Sequence, residues 1–136
     1  MNLNLPVPLY YIKIDQNIVE IPEIQENEEI LLCFSLNPQQ SQSIEPNQED
    51  LLEKLIFAGQ KVENKTSNQT VCLPQGKYLF SQHRSAQVLS QAQWLDMAIE
   101  QQKDGLWERN KLGDLLYVRY LFEDGARVTQ VFRGTH

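Results

Sequence analysis

The sequence has few of the residues that would support metal binding or disulfide cross-linking. It contains two cysteines, Cys33 and Cys72, and two histidines, His83 and His136. These four residues do not follow the ligand spacing of a zinc site. Each cysteine lies within a short apolar run, where a free thiol usually behaves as a small buried hydrophobe. We therefore expect no metal, no cofactor and no structural disulfide.

Long apolar segments and basic residues are scarce as well. No run approaches the ~20 apolar residues of a membrane-spanning helix, and the first residues lack the basic and apolar regions of a signal peptide. The formal net charge is −6, and residues 1–70 carry eleven acidic side chains against four basic ones. A surface of this sign repels phosphate backbones. We expect a cytoplasmic protein that binds neither nucleic acid nor a membrane.

The remaining composition is typical of a globular domain. The chain has 136 residues, of which 41% are hydrophobic and 22% charged. This length is sufficient for one hydrophobic core. We predict a single α+β domain over residues 1–136.

Several segments are predicted to form strands. Leu9 to Ile14 and Ile30 to Leu36 have strand composition, and the acidic segment 20–29 between them is interpreted as a loop. Asp124-Gly125 is a strong hairpin signal between Leu115 to Phe122 and Ala126 to Arg133. In that hairpin Tyr117 would oppose Phe132 on one face and Val118 would oppose Val131 on the other. Because both faces are apolar, the hairpin is expected inside a larger sheet.

Two helices are predicted from apolar spacing and capping residues. The first would begin at Asn47, present Leu51, Leu52, Leu55 and Ile56 as its apolar stripe, and end at Gly59. The second would begin at Ser85, present the stripe Val88, Leu89, Ala92, Leu95 and Ile99, and end before Asp104. Between the two helices, Thr70 to Leu73 and Lys77 to Gln82 are predicted to pair through a turn at Pro74 to Gly76.

The predicted order of elements is ββα, ββα, ββ. It favours an α+β fold in which two helices pack on one face of a mixed or antiparallel sheet of about six strands. The repeated order predicts a pseudo-twofold arrangement of the two ββα units.

One segment is similar to a known family. The run VCLPQGKYLF from Val71 to Phe80, followed by His83 and a leucine-bearing helix, resembles gyrase-inhibitor-like (GyrI-like) effector-binding domains over residues 70–118. The resemblance implies a pseudo-twofold fold whose concave, aromatic sheet face receives a small molecule. The chain departs from the family pattern at Ser85 and Ala86, where a glycine is common. It departs again at Arg119, which occupies a strand interior where the family often has an acid, so the implied ligand is neutral or anionic.

The candidate site follows from the period of two in a strand. Tyr78 and Phe80 share one face, as do Tyr117 and Arg119, and we predict that these four residues bind the ligand. The other strand aromatics are expected in the core or at its rim, and the arginines other than Arg119, namely Arg84, Arg127 and Arg133, are expected to be solvated. Cys72 and His83 do not make a catalytic pair, because the predicted register separates them and a reactive cysteine needs an exposed site.

The sequence therefore predicts a non-catalytic domain that binds a small amphipathic molecule on an aromatic-lined sheet face. The alternative is a protein interaction module or homodimer without a small-molecule ligand. In that case the same apolar face or a sheet edge would contact protein.

Overall fold

The computed structural model describes residues 1–14, 24, 28–61 and 69–135. Within these residues the chain forms one helix, α1, and eight strands. In chain order the elements are β1 Asn2–Leu5, β2 Leu9–Ile14, β3 Glu29–Leu36, β4 Leu52–Gln60, β5 Thr70–Leu73, β6 Gly76–Ser85, α1 Gln91–Trp107, β7 Leu112–Glu123 and β8 Ala126–Thr135. The predicted loop at residues 20–29 lies mostly outside the described residues.

All eight strands belong to one antiparallel sheet with the order β1-β6-β8-β7-β3-β4-β2-β5. The prediction of two helices on a sheet of about six strands is therefore wrong, and so is the pseudo-twofold ββα repeat. The described residues form a mostly-β half-barrel with a single helix.

The curvature of the sheet follows from its two ends. β1 pairs with β6 and β2 pairs with β5, while β1 leads into β2 at Pro6 to Pro8 and β5 leads into β6 at Pro74-Gln75. The same two chain segments therefore form the ladder at each end of the sheet. Because these segments are continuous, the ends are held near each other and the sheet must curl.

The predicted first helix is a strand, β4, and bulges explain the error. Leu36 pairs with Leu52 and Ser35 pairs with Lys54, so one residue of β4 is extra at that point, and a second register shift follows between Phe34 and Cys33. A bulge resets the alternation of side chains between the two faces. Leu52 and Leu55 consequently lie on the same face, three residues apart, which imitates helical spacing.

The predicted hairpin between Thr70 to Leu73 and Lys77 to Gln82 is also wrong. Both segments are strands, but β5 pairs with β2, whereas β6 pairs with β1 and β8. The Pro74-Gln75 connection therefore acts as a corner of the half-barrel. Proline and glycine signals mark a change of direction, and they do not determine which strand becomes the partner.

The predicted second helix exists, but it begins and ends later than expected. Ser90 is the N-cap: its Oγ accepts a hydrogen bond from the backbone N–H of Gln93, and the Gln93 side chain accepts one from the backbone N–H of Ser90. This reciprocal pair is a capping box. Ser85 instead ends β6, and α1 continues past Asp104 and Gly105 to Trp107.

The last hairpin is confirmed in register. Tyr117 pairs with Phe132 and Val118 pairs with Val131. β7 also pairs with β3, and β8 also pairs with β6, so the hairpin is central in the sheet, as its two apolar faces predict.

Two apolar clusters lie on opposite faces of the sheet. The outer cluster is covered by α1 and contains Trp94, Leu95, Ala98, Leu116, Val118 and Val131 among its buried members. The inner cluster contains Tyr11, Leu31, Cys33, Leu73, Tyr78, Tyr117 and Phe132, with Leu3, Leu5, Leu9, Phe57, Val71 and Phe80 packed against it. Since all eight strands contribute to the inner cluster, it fills the concave side of the half-barrel.

Candidate functional site

The aromatic part of the site is the inner cluster. The Tyr78 ring packs edge-to-face against Phe132, with centroids 5.7 Å apart, and against Tyr117 at 6.3 Å. Phe80 packs on Phe132 at 5.1 Å in a tilted arrangement. These separations are typical of favourable aromatic pairs. Three of the four predicted site residues therefore belong to one continuous ring cluster.

The rings differ in how much of them a ligand could reach. Tyr78 and Tyr117 are 5% and 7% exposed, and Phe132 is 2% exposed, so these three mainly fill the concavity. Phe80 is half-buried. Among these four rings, Phe80 therefore offers a ligand the most accessible surface.

A polar layer adjoins the rings on the same face. Arg119 pairs across the hairpin with Gln130, and its Nη1 donates to Gln130 Oε1 at 3.1 Å. Gln130 Nε2 in turn donates to Gln82 Oε1 at 3.0 Å. Gln82 lies two residues beyond Phe80 on β6, on the same face. The predicted residue Arg119 is therefore linked through Gln130 to Gln82, which follows Phe80 on this face of β6.

Arg119 is also part of an ion pair within the half-barrel. Its Nη2 lies 2.9 Å from Glu29 Oε1, and its Nε donates to Glu29 Oε2 at 3.1 Å and to the Tyr11 hydroxyl at 3.0 Å. The Tyr11 hydroxyl donates to Glu29 Oε2 at 2.6 Å. Lys61 Nζ lies 3.7 Å from Glu29 Oε1. Among the described residues, two cationic groups thus lie beside the Glu29 carboxylate.

The protonation states in this region follow from burial and from the ion pair. Burial lowers the pKa of Arg119, but its neighbours Tyr11 and Glu29 raise it by more, so the net shift is upward and the guanidinium stays charged. Burial raises the pKa of the Tyr11 hydroxyl, which stays protonated and can donate to Glu29. The polar layer therefore contains a charged guanidinium at neutral pH, and this group can attract an anionic ligand atom.

The cysteine chemistry of the inner cluster is different. Burial raises the pKa of Cys33 to about 12 and that of Tyr78 to about 12. A thiol with such a pKa holds almost no thiolate at neutral pH, and the thiolate is the nucleophilic form. Cys33 therefore acts here as a packing residue. Cys33 and Cys72 are both free thiols.

Sequence reasoning missed Glu29, Tyr11 and Gln130 as members of the site. Gln130 could have been found, because the Asp124-Gly125 register places it opposite Arg119. Glu29 and Tyr11 could not be found in that way. They lie 90 and 108 positions from Arg119 along the chain, and only the β3–β7 pairing and the curl of the sheet bring them close.

A recess lies on the outer side of the sheet, between α1 and the strands β1 and β6. It has a volume of about 440 Å³ and is lined by Met1, Asn2, Leu79, Ser81, Asp96, Met97, Glu100, Gln101, Asp104, Gly105 and Glu108. We refer to it as the α1 groove. It does not include any of the four predicted site residues.

Comparison with protein-family models gave no match, and none of the curated proteins matches the chain. The resemblance to GyrI-like domains stays a prediction. In the part of the chain that the structure describes, no helix is both long and apolar enough to cross a membrane. Among the same residues, no group of three or more histidine, cysteine, aspartate or glutamate side chains could hold a metal ion.

Proposed function

We propose that this chain is a non-catalytic binding domain for a small amphipathic molecule with an anionic head group. The apolar part of the ligand packs on Phe80 at the edge of the inner cluster. The head group reaches Arg119 and the amides of Gln82 and Gln130. A cytoplasmic location belongs to the same proposal, and it is in keeping with two free thiols.

The observation that carries this proposal is the placement of a charged cluster beside aromatic rings on the concave face. Burying an ion pair is often no more stabilising than packing apolar residues of the same volume. The Arg119–Glu29 pair is therefore poorly explained by stability alone. The Arg119 and Glu29 side chains keep 18% and 11% of their surface exposed, so a ligand atom can reach them.

The two cationic side chains support an anionic head group. In the part of the chain that the structure describes, Arg119 and Lys61 both lie beside Glu29. A guanidinium has five N–H donors and can hold a carboxylate in bidentate fashion. A ligand carboxylate would then add to the cluster without displacing Glu29.

Binding can be tested with dodecanoate, an amphipathic anion, by displacement of the fluorescent probe 8-anilinonaphthalene-1-sulfonate. We expect dodecanoate to displace the probe at lower concentration than dodecyltrimethylammonium, which has the same tail and the opposite charge. The Phe80→Ala variant should weaken dodecanoate binding by about tenfold, because it removes the reachable aromatic contact. A Glu29→Gln/Arg119→Gln double variant should remove the preference for the anion without leaving a single buried charge.

Phe122→Ala is the matched control. Phe122 is also half-buried, but it packs with the outer cluster on the other face of the sheet. The proposal fails if Phe122→Ala weakens binding as much as Phe80→Ala, or if both detergents compete equally. If instead sedimentation shows a dimer that Phe80→Ala dissociates, the concave face is a protein interface.

A further inference from the structure

The α1 groove carries a row of carboxylates. Asp96, Glu100 and Asp104 lie four residues apart on α1, and Glu108 continues the row at the C-cap. Four residues of helix rise by about 6 Å, so the row presents a negative charge at each such interval. All four acidic residues line the groove.

This row is unfavourable for the helix in isolation. Like charges four residues apart destabilise a helix, and negative charge near the C-terminus opposes the helix dipole. The last turn of α1 has no basic residue. Among the described residues, none of the four carboxylates makes an ion pair, and Asp96 accepts one hydrogen bond, from Gln48 Nε2 at 2.7 Å. Among the described residues that line the groove, no lysine or arginine side chain balances this charge.

A buried amide in the groove lining also lacks a partner. Gln101 is 7% exposed, and its Nε2 donates to Ser81 Oγ at 3.2 Å and to the Val131 carbonyl at 3.1 Å. Within the described residues its Oε1 accepts no hydrogen bond. An unsatisfied buried acceptor costs free energy. A hydrogen-bond donor that entered the groove beside Gln101 would supply the bond to Oε1 that no described residue supplies.

The strand side of the groove offers backbone groups. The Met1 carbonyl accepts a hydrogen bond from the Phe80 N–H at 2.9 Å, so in the antiparallel β1–β6 ladder Asn2 and Asn4 direct their backbone groups to the outer edge. β1 is the last strand at this end of the sheet. An exposed strand edge can pair with an extended peptide.

The spacing of the groove matches such a peptide. Along α1, Gln101 contacts Ser81, and a Cβ at Gly105 would meet the Leu79 side chain, so four helix residues span two residues of β6. Alternate side chains of an extended strand are about 6.6 Å apart. Cationic side chains at every second position of the peptide would therefore repeat at nearly the same interval as the carboxylates along α1.

We propose that the α1 groove binds an extended segment of a partner protein that carries lysine or arginine at every second position. The peptide backbone pairs with β1 beside Asp104 and Glu108 and continues along α1, so that its cationic side chains lie against all four carboxylates of the row. This surface is separate from the concave face, so the inference is independent of the small-molecule function.

The probe for this proposal is a fluorescein-labelled heptapeptide in which four lysines alternate with three threonines. Fluorescence anisotropy at low ionic strength should show that it binds the full chain at least fivefold more tightly than an isomer with its four lysines in one block. Glu100→Gln and Asp104→Asn should each weaken binding by about two- to fivefold, as expected for one exposed ion pair. Asp50→Asn, which removes the same charge from a loop outside the groove, should leave the affinity unchanged.

A second measurement separates docking in the groove from general attraction between charges. The side-chain amide signals of Gln101, identified by their loss in Gln101→Leu, should shift in heteronuclear NMR spectra when the peptide is added. Equal binding of the two peptide isomers, or no shift of the Gln101 signals, would overturn the proposal. If spermine binds as tightly as the alternating peptide, the occupant is a small polycation, and the peptide proposal is rejected.

Discussion

The burial of Arg133 and its hydrogen bonds depend on segments that are distant along the chain. It is 1% exposed and donates to the Ser41 carbonyl at 2.7 Å, the Gln102 Oε1 at 2.8 Å and the Gly113 carbonyl at 2.6 Å. Gln102 Nε2 in turn donates to the carbonyls of Gln40 and Ser43. Arg133 therefore connects the loop after β3 with α1 and β7. Burial lowers its pKa to about 10, against the opposing effect of Asp114.

Replacement of Arg133 by alanine should destabilise the fold strongly. The change leaves three buried acceptors without a donor, which costs about 3 kcal/mol or more in the free energy of unfolding. Arg84→Ala is the control, since Arg84 forms an exposed pair with Glu123 and should cost less than about 1 kcal/mol. Urea unfolding followed by fluorescence measures both values. Similar losses for the two variants would contradict the structural role of Arg133.

The residues that sequence analysis predicted well are those whose environment is set by neighbours in a strand or a hairpin. Tyr78 and Phe80 share a face because they are two positions apart, and Tyr117 opposes Phe132 because a two-residue turn fixes the register. Arg133 was expected to be solvated, and that expectation is wrong. Its acceptors come from segments 20, 31 and 92 residues away, so no local pattern marks it as buried.

At the scale of elements, apolar periodicity failed where the strand was irregular. β4 contains two register shifts against β3, and these change the spacing of Leu52, Leu55 and Phe57 from that of a regular strand. Asn47, which was predicted to cap a helix, instead accepts a hydrogen bond from the Glu49 N–H in a turn. A capping residue followed by apolar residues three positions apart is compatible with a helix and with an irregular strand. Strand pairing decides between them, and the sequence does not reveal it.

The helix start can be tested with a pair of serine variants. Ser90→Ala should lower the free energy of unfolding by about 1 kcal/mol, because it removes the side-chain acceptor of the capping box. Ser85→Ala should cost less, because Ser85 ends β6 and, among the described residues, its hydroxyl bonds only to the nearby Gln87. Thermal or urea unfolding of both variants gives the comparison. A larger loss for Ser85→Ala would place the start of the helix where the sequence predicts it.

At the scale of the whole molecule, one curved sheet separates two cores. The outer cluster depends on α1 for cover, whereas the inner cluster is covered by the sheet itself, because strands from both ends of the sheet meet there. Apolar residues on both faces of β7 and β8 predicted that both faces would be covered. They could not predict that the cover on the second face is the curvature of the sheet. The concavity that was expected to receive a ligand is therefore largely filled by its own rings, and the reachable part lies at Phe80 and Arg119.

The inner cluster should make the whole molecule sensitive to alkaline pH. Burial raises the pKa of Cys33 from 9.0 to about 12 and that of Tyr78 from 10.0 to about 12, and it raises those of Tyr11 and Tyr117 as well. The folded state therefore binds more protons than the unfolded state at pH values between about 9 and about 12. The stability contributed by these groups is complete below that window and is lost as the pH rises through it.

Arg133 acts in the opposite direction, because its pKa is lowered to about 10 in the folded state. Burial also raises the pKa of Tyr120 on the other face of the sheet. Arg133 is therefore one group against five, so we expect the free energy of unfolding to fall steadily from pH 9 to pH 12. Urea unfolding at a series of pH values, monitored by the fluorescence of the buried Trp94, measures this slope. In Cys33→Ala the slope should be smaller, because one of the titrating groups is removed. A stability that stays constant across the window in the unmodified protein would show that the inner cluster is open to water, and it would make the concave face a much larger ligand site than its packing indicates.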